Sequence, residues 1–214
     1  SEPFMPMLCS AVLRFSDAVN IGTFHAAEGK PGYNWGRPIS TWMLQRRVHK
    51  LHGKIAVSQA ALAYHSQYVP GPFDIIPNGI DIDRFTDDIL PFGRFLDGKK
   101  NILFVGRLEF RKGLNYLLNA YLLLKGEIPD SRLIVVGPGI RLRRRYERWI
   151  KKTGLQDVIF IGYAPHEDIP RYYKTADIFC APATSRESLA SYFWKQWRWA
   201  LRLWQPTYRA MPVL

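Results

Sequence analysis

Ile102-Leu103-Phe104-Val105-Gly106-Arg107-Leu108-Glu109-Phe110-Arg111-Lys112-Gly113 is the stretch on which the reading of this 214-residue chain turns. Four apolar residues ending at a glycine form a short run of the kind that makes a buried strand entering a loop. Leu114, Leu117, Leu118, Tyr121 and Leu122 then recur at helical spacing, so the loop joins a strand end to a helix start. The same unit repeats downstream. Arg132 to Val136 is a second strand, stopped by Gly137-Pro138-Gly139, and a helix with Leu142, Tyr146, Trp149 and Ile150 inward follows it. Val158 to Ile161 ends at Gly162, His166 to Ala176 reads as a short helix, and Asp177 to Ala181 as a fourth strand. Short strands alternating with helices imply right-handed crossovers and a parallel sheet covered on both faces. Ligands of such sheets sit beyond the carboxyl ends of the strands. Here those ends are Gly106-Arg107, Gly137-Pro138-Gly139, Gly162-Tyr163 and Ala181-Pro182-Ala183.

The first hundred residues carry weaker signals of the same kind. Val19 to Phe24, Lys54 to Val57 and Asp74 to Ile76 read as strands, and Thr41 to His52 and Gln59 to Tyr68 as helices. They resemble the second half of another α/β domain. The polar stretch from Asp83 to Lys100, with its Gly and Pro residues, is expected to be a linker.

Bulk properties narrow the function classes. A composition 47% hydrophobic and 22% charged is that of an ordinary globular protein. The uncharged apolar runs are shorter than the roughly 20 residues needed to span a bilayer. Ser1-Glu2-Pro3 lacks the basic start and apolar core of a secretory signal, and Cys9 and Cys180 are too few for a disulfide framework. A cytoplasmic protein with reduced thiols is therefore expected. The net charge of +12 calls for an anionic partner, which could be nucleic acid, an anionic membrane surface or a phosphorylated substrate. Arg141, Arg143, Arg144, Arg145, Arg148, Lys151 and Lys152 concentrate that charge on one helix. This basic face has two readings, a solvated amphipathic surface or one that touches anionic lipid headgroups. No nucleic-acid-binding motif accompanies it, so nucleic acid is not an expected partner.

The loop from Gly106 to Gly113 is suited to an anion. Backbone N–H groups and a helix start favour negative charge there, and Arg107 and Lys112 add a planar fork and a mobile point charge. Spacing alone leaves a solvated basic loop equally open. The P-loop and dinucleotide-binding glycine patterns are both missing.

Taken in order, Gly106 to Gly113, Gly137-Pro138-Gly139, Asp177-Ile178-Phe179 and Pro182-Ala183-Thr184-Ser185-Arg186-Glu187-Ser188 resemble the donor domain of retaining family-4 glycosyltransferases. Upstream, Thr23-Phe24-His25-Ala26, Val57-Ser58 and Ile76 to Asp81 match the same family, and the resemblance runs from about Glu2 to Ser188. It extends to bacterial phosphatidyl-inositol mannosyltransferases and similar lipid glycosyltransferases. It implies the GT-B fold, two Rossmann-like doubly wound domains, both incomplete in this chain. Residues 1–90 would belong to the acceptor-side domain and 91–188 to a truncated donor domain.

The resemblance also implies roles. Arg107 and Lys112 would bind and stabilise the departing diphosphate of a nucleotide sugar, and Glu187 would hydrogen-bond the transferred sugar. Gly106 and Gly137-Pro138-Gly139 would let backbone approach the nucleotide, which would lie near Gly162 and Tyr163. His25 would face the acceptor hydroxyl and the anomeric centre; on its own residues it reads rather as a packed histidine at a strand end. The implied partners are a nucleotide-diphosphate sugar, such as GDP-mannose, a lipid or saccharide acceptor, and an anionic membrane surface at the inner face of the plasma membrane. No tightly bound cofactor is implied, and a divalent metal is allowed but not indicated.

After Ser188 the pattern breaks. The family continues with Phe-Gly, a hydrophobic run, then Glu-Ala-Met-Ala-x-Gly-x-Pro, whereas residues 189–214 contain no Asp, Glu or Gly and include Trp194, Trp197, Trp199 and Trp204. One reading is an amphipathic membrane segment. Another comes from the genetic code. Phe193 to Ala200, written as codons and read one base earlier, gives Leu, Glu, Ala or Thr, Met or Val, Ala, an apolar residue and Gly. That is the family's missing segment, so the tail is expected to be out-of-frame sequence. The last donor-domain strands and the second glutamate of the family's pair would then be absent. The alternative function is an inactive remnant that retains phosphate or anionic-lipid binding.

Overall fold

The computed structural model describes residues 8–25, 48–79 and 81–183, and the strand Arg202–Trp204. Two compact units result, one ending at Gly79 and the other beginning at Ile80.

In the first unit, helix α1 (Leu8–Phe15) precedes strand β1 (Ile21–Phe24), and β2 (Gly53–Ala56) and β3 (Asp74–Ile75) complete a parallel sheet in the order β1-β2-β3. Helix α2 (Gln59–His65) starts at Ser58, whose hydroxyl accepts a 3.1 Å hydrogen bond from Ala61 N. Leu13, Phe24, Val48, Leu51 and Val69 form the core beneath. The helix expected over Thr41 to His52 lies largely outside the described residues.

The second unit is a five-stranded parallel sheet. Its strands are β4 (Lys100–Val105), β5 (Ser131–Val136), β6 (Val158–Gly162), β7 (Ile178–Cys180) and β8 (Arg202–Trp204), in the order β6-β5-β4-β7-β8. Helices α3 (Leu114–Glu127), α4 (Ile140–Thr153) and α5 (Ile169–Thr175) form the crossovers. Strand alternation sorts the core into two layers. Ile102, Phe104, Leu133 and Val135 face α3 and α4, and pack with Leu114, Leu117, Leu118 and Tyr121. Leu103, Ile134, Val136 and Phe179 face the other way, onto Tyr172 and Tyr173 of α5. Every residue of β5 is buried, as a strand covered on both faces requires.

The strand order places a switch point at β4, because the chain runs outward from it on one side to β5 and β6, and on the other to β7 and β8. That position is where a doubly wound sheet opens a crevice.

Two expectations are corrected. The stretch from Asp83 to Lys100 is not a free linker: Phe85 and Phe95 are 4% and 3% exposed and belong to the core around Tyr173 and Phe179. Asn101 holds that segment by donating to the carbonyls of Phe95 (2.9 Å) and Thr175 (3.3 Å). Buried Arg132, under the Phe95 ring, pairs with Asp97 and donates to Asn101 Oδ1. Polar side chains concealed this because their hydrogen-bonding partners are distant in sequence. Secondly, no strand is expected after Ser188, yet Arg202–Trp204 pairs in parallel with Ile178–Cys180. Open backbone N–H and C=O groups along an edge strand accept any extended segment whatever its side chains.

Candidate functional site at the strand carboxyl ends

Four loops meet beyond the carboxyl ends of β4 to β7, and their own backbones fasten them. Gly106 N donates to Val136 O (2.8 Å), Leu108 N to Pro138 O (2.8 Å) and Gly137 N to Gly162 O (2.7 Å). These bonds bind the loop after β4 to the loop after β5, and that loop to the end of β6.

The glycines are what allow such close approach. Gly137 has φ +143°, and a Cβ on it would lie 1.9 Å from Gly106 O. Gly113 has φ +75°, and a Cβ there would lie 1.9 Å from Pro182 O, in the loop after β7. Neither position accepts a larger residue without the backbone moving. A single backbone layer therefore runs from Gly162 through Gly137 and Gly106 to Gly113 and Pro182.

The charged groups stand on this layer. Residues Phe110–Lys112 form one turn of 3₁₀ helix, closed by Gly113 N donating to Phe110 O at 3.0 Å, and α3 begins at Leu114. Arg107 is exposed, with its Nη1 3.2 Å from Glu109 Oε1. Glu109 Oε2 also accepts a 2.7 Å hydrogen bond from Arg111 Nε. The stem of Lys112 passes beside Gly106. Tyr163 is 75% exposed at the end of β6. Arg143 reaches back from α4 toward Gly162 and stands over the Phe160 ring.

The structure thus brings together Gly106, Arg107, Lys112, Gly137, Pro138, Gly139, Gly162 and Tyr163. His25 belongs to the first unit, half-buried directly after β1. Glu187 lies outside the described residues. Asp177 of the Asp-Ile-Phe motif sits at the opposite, amino ends of β4 and β7, where its carboxylate accepts from Asn101 N at 2.8 Å. That residue aligns strands and is remote from the site. Sequence reading missed Glu109 as the anchor of Arg107; the alternation of Arg107, Glu109 and Arg111 was the available signal. It also missed Arg143, whose relation to Gly162 depends on a crossover.

Glycine-lined strand ends with two cations at a switch point are the place where an α/β protein of this kind would receive an anionic ligand. Residues 86–192 match the family described as glycosyl transferases group 1. The chain belongs to that family.

The phosphatidyl-myo-inositol mannosyltransferase of Mycobacterium tuberculosis is 30% identical over 188 residues, covering 87% of this chain and 48% of the relative. A GDP-mannose-dependent alpha-(1-6)-phosphatidylinositol monomannoside mannosyltransferase of Mycolicibacterium smegmatis is 31% identical over 117 residues, or 52% of this chain and 30% of the relative. Among solved structures, Anabaena Alr3699/HepE in complex with UDP-glucose superposes with a TM-score of 0.70 at 18% identity, over 92% of this chain and 55% of that one. WaaG, a glycosyltransferase involved in lipopolysaccharide biosynthesis, gives 0.65 at 18% identity, over 88% and 56%. These neighbours bear out the expected GT-B fold. The chain spans about half the length of the curated relatives it matches.

Proposed function

We propose that this chain carries the donor-binding part of a hexosyltransferase that moves a sugar, mannose from GDP-mannose in the leading reading, onto a lipid or saccharide acceptor. The observation that carries this is the layer from Gly162 to Pro182 with Arg107 and Lys112 upon it, since it offers backbone approach and two cations to one diphosphate. Relatives named as mannosyltransferases support the sugar, and a neighbour solved with UDP-glucose supports a nucleotide-sugar donor in the fold.

In the proposed reaction the anomeric C–O bond to the diphosphate breaks and its electron pair leaves with the phosphate oxygen. Arg107 and Lys112 balance the charge that develops there. The acceptor hydroxyl oxygen bonds to the anomeric carbon from the same face, and its proton passes to the departing diphosphate, so the configuration is retained. Glu187 orients the sugar, Tyr163 flanks the nucleotide and His25 faces the acceptor. The reaction takes place in the cytoplasm, at the inner face of the plasma membrane when the acceptor is a lipid.

The test is sugar transfer by the full chain from GDP-mannose and from UDP-glucose, alongside nucleotide binding by calorimetry. Arg107→Ala and Lys112→Ala should each lower transfer by about tenfold to a thousandfold, the range for removing one stabiliser of a developing anion. Nucleotide binding without turnover identifies the inactive remnant instead. Binding unaffected by both substitutions overturns the site.

A further inference from the structure

We infer that Arg143 reads the base of the donor nucleotide and selects guanine over uracil. The inference rests on the donor-binding reading of the strand-end layer, and it names the residue that decides which nucleotide that layer takes.

Position comes first. Arg107 and Lys112 belong to the loop after β4, so a diphosphate held by them lies over Gly106. Strand β6 is two places away in the sheet, beyond β5. Neighbouring strands lie about 4.8 Å apart, which puts Gly162 roughly 10 Å from Gly106. A ribose occupies that interval and leaves the base over the end of β6. The backbone between is continuous, since Gly106 N donates to Val136 O and Gly137 N to Gly162 O.

Two side chains stand at that end. Tyr163 follows Gly162 and is largely exposed, an aromatic face on which any base can stack. Arg143 comes from the first turn of α4, where its own N donates to Gly139 O at 3.0 Å. Its Nη1 lies 3.7 Å from the place a Cβ would take on Gly162. The guanidinium is held in orientation from two sides. Its carbon is 5.5 Å from the centre of the Phe160 ring, and Nε donates to Glu147 Oε1 at 2.7 Å. An arginine pinned through Nε keeps Nη1 and Nη2 as a parallel pair of donors. Neither makes a hydrogen bond among the described residues, and the side chain is 40% exposed, so the fork is open to a ligand.

The chemistry of that fork picks the base. Two parallel N–H donors match two adjacent acceptors, which guanine presents at O6 and N7. Adenine sets a donor beside its N7, and a uracil offers only its O4 on the corresponding edge. Stacking on Tyr163 tolerates every base, so discrimination falls to Arg143. A lysine there would bring the charge without the matched pair of donors. The exposed ion pair with Glu147 adds little to stability by itself, and a role confined to packing would not depend on which base is bound.

The experiment is calorimetric titration of the full chain with GDP, UDP and 7-deaza-GDP, in which a C–H group replaces guanine N7. The wild type should bind GDP about tenfold or more tighter than UDP, the discrimination expected of a bidentate arginine–guanine pair. It should bind 7-deaza-GDP several-fold more weakly than GDP. Arg143→Lys keeps the charge; it should bring GDP toward the affinity of UDP, leave UDP unchanged and erase the difference between GDP and 7-deaza-GDP. Arg143→Ala is the second variant, and thermal unfolding checks that both remain folded. GDP and UDP weakened alike in both variants would make Arg143 a phosphate or packing residue and overturn the assignment. Equal binding of GDP and 7-deaza-GDP by the wild type overturns it as well, with the donor-binding reading left standing. A wild type that binds none of the three overturns both.

Discussion

Arg107 and Glu109 form an ion pair of 3.2 Å at the mouth of the β4 loop, and Arg111 shares the same carboxylate. The arginine suited to a diphosphate is therefore already partnered. An incoming anion must compete with Glu109 for it. Glu109→Gln keeps the side-chain shape and removes the competing charge. Binding of GDP or UDP should tighten by about twofold to fivefold, in keeping with an exposed pair worth at most about 1 kcal/mol. Calorimetry with the wild type and variant measures this; unchanged or weaker binding would show that Glu109 does not compete for Arg107.

Gly137→Ala tests the close approach of the loops. The new Cβ would meet Gly106 O in a backbone conformation that alanine rarely adopts. Stability should fall by about 1–3 kcal/mol, the cost of a strained backbone position. Denaturant unfolding reads this, and Gly126→Ala serves as a control, since a Cβ at Gly126 meets nothing within 4 Å and lies in a helix.

Asp157 gives a pH-dependent signature. Hydrogen bonds from Lys125 at 2.7 Å and Lys99 at 2.6 Å hold its carboxyl below the usual carboxylate range, against the opposing effect of burial. A depressed folded pKa means that its contribution is present at neutral pH, above the unfolded value, and is lost as pH falls through the folded value. Asp157→Asn should therefore lower stability at pH 7, and the difference from wild type should shrink below about pH 4. Asn suits the comparison because residue 157 has φ 59°, which Asn tolerates. A difference that persists unchanged in acid would count against the ion pairs.

Cys180 should be silent toward thiol reagents. Burial pushes its thiol up to about 11, so at pH 8 it stays protonated as well as covered. Iodoacetamide should label it only after unfolding, as mass spectrometry would show. The raised folded value also means that stability associated with this thiol is present below its unfolded pKa and is lost as pH rises through about 11. Rapid native labelling would contradict the packing around β7.

Much of the second unit was legible in the sequence because its signals are local. Apolar runs of four or five residues stop at Gly106, Gly137 and Gly162, and a parallel strand buried on both faces has to read that way. The site loops followed, since strand ends in such a sheet are where glycines and cations gather. The segment holding Phe85 and Phe95 was not legible, because its burial depends on Asn101, Arg132 and α5, which are remote in sequence. The short α5, expected from His166, begins at Ile169, after a turn in which Asp168 N bonds to Pro165 O.

The sequence by itself determined the α/β class, the family and the loops that end the strands, because periodicity and punctuation record what each strand and helix must bury or leave open. Only tertiary structure decided what those residues do for one another. The partnership of Arg107 with Glu109, the closure of Gly113 on Pro182 and the place of Asp177 at the amino ends of β4 and β7 arise where chain segments meet. Which groups meet is set by the crossovers and the strand order, whose geometry no local pattern encodes.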